Sequence, residues 1–520
     1  MKTINLPSTF NAATWLVDRH IPEGRGGKVA FECGEERVTY LQLAERVNRV
    51  GNALKSLGVR PEERVALLLL DTPEFACCFL GGIKMGAVPV PVNTMLKPAE
   101  YQYILNDSRA RVVVISESLL PQLQAIPRAD LHFLETVIVF GDAPQGTVSL
   151  LNLMEDASST LEAAPTNKDD AAFWLYSSGS TGAPKGCVHL QHDMVVSAEL
   201  CAKPMLGIRE DDRCFSVAKL FFAYGLGNGL YFPLSVGATS ILWPGSPAPP
   251  NIYSVIERHK PTLFFSVPSN YASLLAYKQE GGPDFDLSGV RHAVSAGESL
   301  PAPLFHRFKE RFGVEILDGI GSTEALHIFI ANRPGALRPG SSGKVLPGYE
   351  ARILDENDRP VPDGEIGNLW IKSDAVCACY WNQHEITKET LRGHWLRTGD
   401  KYSRDADGYY WYAGRSDDML KVKGMWVSPV EIESTLLEHP AVQEAAVIGV
   451  TDGNQLVKPA AYIVLRNGQS SQPQIGEEIR QHLAARLAPH KCPQRLEYVQ
   501  DLPKTATGKI QRYKLRQSIT

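Results

Sequence analysis

Residues 176–186 read Tyr-Ser-Ser-Gly-Ser-Thr-Gly-Ala-Pro-Lys-Gly. Ser177, Ser178, Ser180 and Thr181 supply hydroxyl donors. Gly179, Gly182 and Gly186 let backbone N–H groups come close to an anion, and Lys185 adds a mobile positive charge. Such a loop, placed directly after the apolar run 171–175, suits a polyphosphate, and ATP is the ligand expected. The spacing departs from the usual nucleoside-triphosphatase loop, in which a Ser or Thr follows the lysine and reaches the metal. Here Gly186 follows Lys185. The dinucleotide pattern of three spaced glycines is absent from this loop as well. A Ser/Gly-rich surface linker is the plain alternative, but linkers rarely follow a buried-looking strand or end in Pro-Lys-Gly.

Further segments have the same flavour. Ser295-Ala296-Gly297-Glu298 closes an apolar run, as at a strand end whose loop faces a ligand. Asp318-Gly319-Ile320-Gly321-Ser322-Thr323-Glu324 pairs glycines with a hydroxyl and a carboxylate. Thr398-Gly399-Asp400 and Gly414-Arg415 follow, and residues 503–512 place Lys509 beside a glycine turn. Each is weak alone.

Elements able to position these residues are legible around them. Over 40–57, apolar residues recur at Leu43, Val47, Val50, Leu54 and Leu57, one helical stripe ending before Gly58. Residues 65–70 form an unbroken apolar run, as expected of a strand covered on both faces, and similar runs lie at 111–115 and 136–140. Strand and helix in alternation imply parallel sheets wrapped by helices. A second block from about 170 adds strand candidates at 262–267 and 291–295. From about 340 to 412, short strands at 350–354 and 367–371 alternate with turns at 362–364 and 405–408, a β-rich texture. The last hundred residues read as a separate unit: a helix at 429–438, strands at 445–450 and 460–465, and a helix carrying Ile475, Ile479, Leu483 and Leu487 on one face.

The expected class is α/β: a large N-terminal domain over 1–416, with a β-rich subdomain at about 340–416, and a small α+β C-terminal domain over 417–520. The 520 residues suffice for two or three domains. A net charge of −5 argues against a nucleic-acid partner, and no run approaches the length of a membrane span. The nine scattered cysteines fit reduced thiols in a cytoplasm; Cys377-Ala-Cys379 lacks a second cluster to complete a zinc site.

Taken together and in this order, the motifs resemble the adenylate-forming enzymes: acyl-CoA synthetases, peptide-synthetase adenylation domains and luciferases. The resemblance spans essentially the whole chain and implies the two-sheet N-terminal domain and mobile C-terminal domain outlined above. Residues 218–228 (Ala-Lys-Leu-Phe-Phe-Ala-Tyr-Gly-Leu-Gly-Asn) and 318–329 further resemble benzoate-CoA ligases. Ile320 departs from many relatives, which carry an aromatic residue there to stack on adenine.

That resemblance implies a reaction and a set of roles. A carboxylate attacks the α-phosphate of ATP, giving an acyl-adenylate and pyrophosphate; the CoA thiol then attacks the adenylate carbonyl and AMP leaves. Ser177, Ser178, Gly179, Ser180, Thr181, Gly182 and Lys185 would hold the β- and γ-phosphates. Ala296, Gly297, Glu298, Asp318, Gly319 and Ile320 would contact the nucleotide. Thr323 would donate to the α-phosphate and Glu324 would hold Mg²⁺. Asp400 would accept the ribose hydroxyls with Arg415 assisting, and Lys509 would bridge the carboxylate and the α-phosphate. Ala223, Tyr224, Gly225, Gly321, His327 and Ile328 would line a short aromatic acyl pocket.

For the second half-reaction the C-terminal domain would turn about Asp417, bringing Lys423, Gly424 and Trp426 to the CoA arm. A homodimer and acetylation of Lys509 by a lysine acetyltransferase are further expectations. The rival readings are an enzyme that loads an aryl group onto a carrier protein, a luciferase-like oxygenase, and a catalytically dead nucleotide binder.

Overall fold

The computed structural model describes residues 4–177, 183–278, 284–416, 418–422, 425–451, 457–466, 473–504 and 510–517. The helix expected over 40–57 runs Tyr40–Ser56. Thr39 and Gln42 exchange hydrogen bonds as a capping box, which satisfies two otherwise orphaned N–H groups. Its stripe of Leu43, Val47, Val50 and Leu54 is buried. It packs on the helix Pro73–Lys84, all of whose residues are buried. Even Lys84 lies inside, its Nζ donating to Asp18 Oδ1 at 2.8 Å and to Asn48 Oδ1 at 2.6 Å. Removing one partner of such a buried charge costs about 3–5 kcal/mol.

One core joins both helices to the inward faces of two sheets. The first sheet is parallel, ordered Val88–Pro91, Arg64–Leu68, Val112–Ser116, Thr136–Phe140, Val148–Ser149. Val65 and Leu67 face the helices, whereas Ala66 and Leu68 join a second core with Val88, Val90, Tyr101 and Ile104. Burial on both faces is why this strand reads as an unbroken apolar run.

The second sheet has nine strands. Val29–Cys33, Thr239–Leu242, Arg213–Ser216, Leu263–Ser266, His292–Ser295 and Ile316–Gly321 are mutually parallel along it. Antiparallel strands close its edges: Ile328–Ala331 with Lys344–Val345 at one, Glu36–Thr39 at the other. In such sheets ligands gather beyond the carboxyl ends of the parallel strands. Ala296 and the Ser322–His327 turn lie there.

A third sheet pairs Ala171–Ser177 with Lys185–Leu190, to which Cys379–Tyr380 adds. The β-rich texture after 340 corresponds to an antiparallel sheet of Glu350–Leu354, Gly367–Lys372, Trp395–Arg404 and Leu391–Arg392, with Tyr410–Arg415 on Trp395–Arg404. Beyond it come a hairpin (Leu420–Val422 with Met425–Val427), a three-stranded sheet (Val442–Thr451, Val457–Leu465, Arg495–Tyr498) and the helices Pro429–Leu437 and Pro473–Ala484. Ile432, Leu436, Val447, Ile463, Ile479 and Leu483 build a core of their own. Arg495–Tyr498 escapes the sequence reading because, at four residues, its alternation of charged and apolar side chains is too short to stand out.

Among the described residues no helix is long and apolar enough to cross a membrane. All nine cysteines are free thiols.

Candidate active site

The strand Ala171–Ser177 delivers Ser177, and the return strand begins with Lys185 directly opposite it. The expected loop lysine is therefore the first residue of a strand, held by the ladder rather than by a free loop. Ser178, Gly179, Ser180, Thr181 and Gly182 lie outside the described residues, as do Asp417, Lys423, Gly424 and Lys509. Trp426 is on the strand Met425–Val427.

Tyr380 gathers two of the expected groups. Its ring lies 5.1 Å from Lys185 Nζ, a cation–π distance. Its hydroxyl donates to Glu324 Oε1 at 2.8 Å. Burial, then the negative charge of Glu324, pushes the phenol well above its ordinary pKa, so it stays a donor. Sequence reasoning missed Tyr380, because it lies 56 positions from Glu324 and no motif marks it.

Thr323 and Glu324 sit in a tight turn after the strand Ile316–Gly321. Ser322 Oγ accepts from Ala325 N–H at 3.2 Å, and Thr323 O accepts from Leu326 N–H at 3.1 Å. Glu324 O accepts from Cys377 N–H at 2.7 Å, tying the turn to the segment that leads to Tyr380. Leu326 adopts a left-handed φ of 64°, a strained state for a leucine.

Asp318 lies within that strand, opposite Ser295 in register. It is buried, and Oδ1 has no hydrogen-bond partner among the described residues. Desolvation pushes its carboxyl far above the usual range. Ala296 is buried, Gly297 is exposed with φ 92°, and Ile320 is half-buried at the strand's end. Gly319 packs against Ile328 and Ala331 across the antiparallel pair.

Asp400 and Arg415 are cross-strand partners in the β-rich sheet. Arg415 Nη1 donates to Asp400 Oδ1 at 3.2 Å and to Thr398 O at 3.0 Å. The two residues expected at the ribose thus meet in the fold.

The acyl-pocket candidates also converge. Ala223, Tyr224 and Gly225 belong to the short helix Ala223–Leu226. Tyr224 Oη donates to Val294 O at 3.1 Å and to Ser266 O at 3.3 Å, pinning the helix to two strand ends. His327 Nε2 is 3.3 Å from Tyr224 O, and its ring meets those of Tyr224, Phe232 and Tyr231 at 5.5, 4.3 and 6.4 Å. Two glycines permit this packing. A Cβ on Gly227 would fall 2.4 Å from His327 Cδ2, and one on Gly321 would fall 2.5 Å from the His327 carbonyl oxygen. The backbone of His327 thus accounts for Gly321 without any ligand. Ile328 follows, buried, as the first residue of its strand.

Desolvation lowers the His327 pKa to about 3, so the folded chain keeps it neutral. The unfolded chain protonates it near pH 6.5, which means that folding loses stability as pH falls below that value. Between pH 6.5 and pH 5 this group withdraws about 2 kcal/mol, at about 1.4 kcal/mol per unit. Asp71, raised to about 6 by burial, opposes the trend, since it gains a proton in the fold below that pH. We expect His327→Asn to flatten the acid limb of stability by about 2 kcal/mol over that interval, read from denaturant titrations at both pH values. An unchanged slope would mean the ring is charged in the fold.

Among the described residues no cluster of three or more His, Cys, Asp or Glu stands ready to hold a metal. Glu324 nevertheless fits one: a half-buried carboxylate whose side-chain hydrogen bond, among the described residues, comes from one neutral hydroxyl. A hard cation there would draw its remaining oxygens from a triphosphate and water.

The sequence pattern of AMP-binding enzymes matches residues 18–381, and that of the AMP-binding enzyme C-terminal domain matches residues 431–509. The chain is 50% identical to a benzoate-CoA ligase of Thauera aromatica, over 99% of this chain and 97% of that one. Its structure superposes on a benzoate CoA ligase from Burkholderia xenovorans LB400 with a TM-score of 0.90 at 47% identity, covering 98% of this chain and 100% of that one. For the anthranilate CoA ligase AuaEII in complex with anthranoyl-AMP the TM-score is 0.95 at 48% identity, covering 100% and 99%. With both patterns matched and the fold shared from end to end, this chain belongs to the AMP-binding, adenylate-forming enzyme family.

Proposed function

We propose that this protein is an ATP-dependent aryl-acid CoA ligase acting on benzoate or a small substituted benzoate. The observation that carries the reading is a juxtaposition. The turn bearing Thr323 and Glu324 is tied through Tyr380 to Lys185 on one side, and leads within three residues to a histidine walled by aromatic rings on the other. A triphosphate at the first and a flat ring at the second bring carboxylate and α-phosphate together.

In the first half-reaction a carboxylate oxygen bonds to the α-phosphorus and the bond to pyrophosphate breaks. Two anions meet, so donors and positive charge must offset their repulsion. Lys185 and the 177–182 loop hold the β- and γ-phosphates, Thr323 donates to the α-phosphate, and Lys509 bridges the reacting groups. Glu324 would hold Mg²⁺, which supplies charge neutralisation on the phosphate oxygens when bound. Asp400 and Arg415 take the ribose, while Ala296, Gly297, Glu298, Asp318, Gly319 and Ile320 surround the nucleotide. In the second half-reaction the thiol sulfur bonds to the acyl carbonyl and AMP leaves. The domain division at 416/417, with Asp417 as hinge and Lys423, Gly424 and Trp426 at the CoA arm, belongs to this proposal.

Ala223, Tyr224, Gly225, Gly321, His327 and Ile328 wall the ring. Their aromatic surface favours a flat substrate, and the buried His327 closes the pocket to long acyl chains. Replacing His327 by alanine is expected to raise kcat/KM for bulkier ring-substituted benzoates at least about tenfold relative to benzoate. An unchanged ratio across such a panel removes His327 from the pocket.

A cytoplasmic location, a homodimer and control by acetylation of Lys509, which removes its charge, complete the proposal. The free thiols support the first of these. The experiment that tests the function is a panel of small carboxylic acids assayed with ATP and CoA for AMP release and thioester. AMP release with aliphatic acids but not aryl acids would sink the reading.

A further inference from the structure

No role above falls to His189 and Asp193, yet both side chains are fully buried, 0% exposed, and His189 lies against the Thr323 backbone. His189 lies on the strand that begins with Lys185, and its ring stacks on Phe173 at 5.1 Å. Nδ1 is 2.8 Å from Asp193 Oδ2 and Nε2 is 2.9 Å from the Thr323 carbonyl oxygen. Asp193 Oδ2 also accepts from Leu190 N–H at 3.0 Å, and Asp193 Oδ1 is 3.2 Å from His192 Nε2.

The proton count restricts this arrangement. Both ring nitrogens of His189 face oxygens, and a backbone carbonyl only accepts. Nε2 must therefore carry a proton for Thr323, and the remaining proton lies between Nδ1 and Asp193. Asp193 fixes the ring's orientation much as a carboxylate orients a catalytic imidazole. The Thr323 carbonyl then takes two donors, His189 Nε2 and Leu326 N–H. Both of its lone pairs are engaged, which leaves the peptide between Thr323 and Glu324 little freedom to rotate.

We propose that His189, held by Asp193, is a positioning residue for adenylate formation: it locks the turn of Thr323 and Glu324 to the strand that starts at Lys185. The inference rests on the proposed roles of Thr323 and Glu324 at the α-phosphate and cation. Without His189 the buried carbonyl loses a donor and the turn can drift, and misplacement by about 1 Å costs up to about a hundredfold in rate. The loss falls on kcat, because the triphosphate is still held by the loop and Lys185 in the ground state.

Asparagine and glutamine separate this role from a structural one. His189→Asn can reach Asp193 but not Thr323; His189→Gln places its amide near the Nε2 position and can still donate to Thr323. Three readouts are needed: pyrophosphate exchange into ATP, thioester formation from preformed aryl-adenylate and CoA, and melting temperature. His189→Asn is expected to lower exchange turnover about thirtyfold with KM for ATP within about threefold, sparing the second half-reaction. His189→Gln is expected to regain about tenfold of that loss. His189→Phe, which keeps the stack on Phe173, makes the same test if the asparagine variant does not fold. The double variant His189→Asn/Thr323→Val should fall short of the product of the single effects.

Equal impairment of the asparagine and glutamine variants, or loss in both half-reactions with a lowered melting temperature, overturns the inference. So does a His189→Asn enzyme of normal rate beside a crippled Thr323→Val enzyme. A Thr323→Val enzyme of normal rate overturns the underlying assignment of the α-phosphate contact instead, and this inference with it.

Discussion

Replacing Lys509 by alanine is expected to lower the rate of adenylate formation by about a hundred- to a thousandfold, the effect of removing one well-placed donor from a developing charge. The same change should leave the reaction of preformed aryl-adenylate with CoA nearly intact. The asymmetry follows from the chemistry: only the first half-reaction drives a carboxylate against a phosphate, and only there is a bridging cation required. The described residues on either side of Lys509 are paired with one another. Lys504 and Ile510 form a β-bridge, and Gln511 N–H donates to Pro503 O at 2.7 Å. Lys504 pairs with Glu444, and Arg512 donates to both carboxylate oxygens of Glu433 at 2.9 and 2.8 Å. Lys504 and Arg512, on the two sides of residues 505–509, are thus each anchored by an ion pair. Pyrophosphate exchange and single-turnover thioester formation measure the two steps separately. Equal loss in both would count against a lysine that serves one step alone.

Glu324→Gln should be nearly as damaging, lowering adenylation about a hundredfold and shifting its magnesium dependence to higher concentration. The substitution is nearly isosteric, and the glutamine oxygen can still accept from the Tyr380 hydroxyl. What disappears is the negative charge, which a hard cation requires and a hydrogen bond does not. Calorimetric titration of ATP at several magnesium concentrations gives a readout independent of turnover: the magnesium-linked gain in affinity should shrink in the variant. If that gain and the rate both match the parent enzyme, Glu324 only anchors Tyr380.

Motifs drawn from one loop, such as the run through Thr323 and Glu324, declare themselves because their chemistry is contiguous. The helix Tyr40–Ser56 and the strand Arg64–Leu68 were readable for the same reason, each carrying its burial as a local pattern. Contacts made by the fold were not. Tyr380 reaches Glu324 only because Cys379–Tyr380 adds to the strand Lys185–Leu190. His189 and Asp193 look like an ordinary pair on an amphipathic stretch until the strand Lys185–Leu190 turns one of them toward Thr323. Between Pro and Gly the sequence places Lys185 in a loop; the ladder to Ser177 makes it the start of a strand.

The helix Pro73–Lys84 has a further consequence, for biosynthesis. With no residue left at the surface, it has no watery side on which to rest while the ribosome is still working. Its Phe79 ring is met edge-on by Phe173, which is translated 94 residues later. The nascent polypeptide therefore carries an oily rod with part of its lining still unmade. Chaperone demand should peak during that interval and fall once the hairpin bearing Phe173 has emerged.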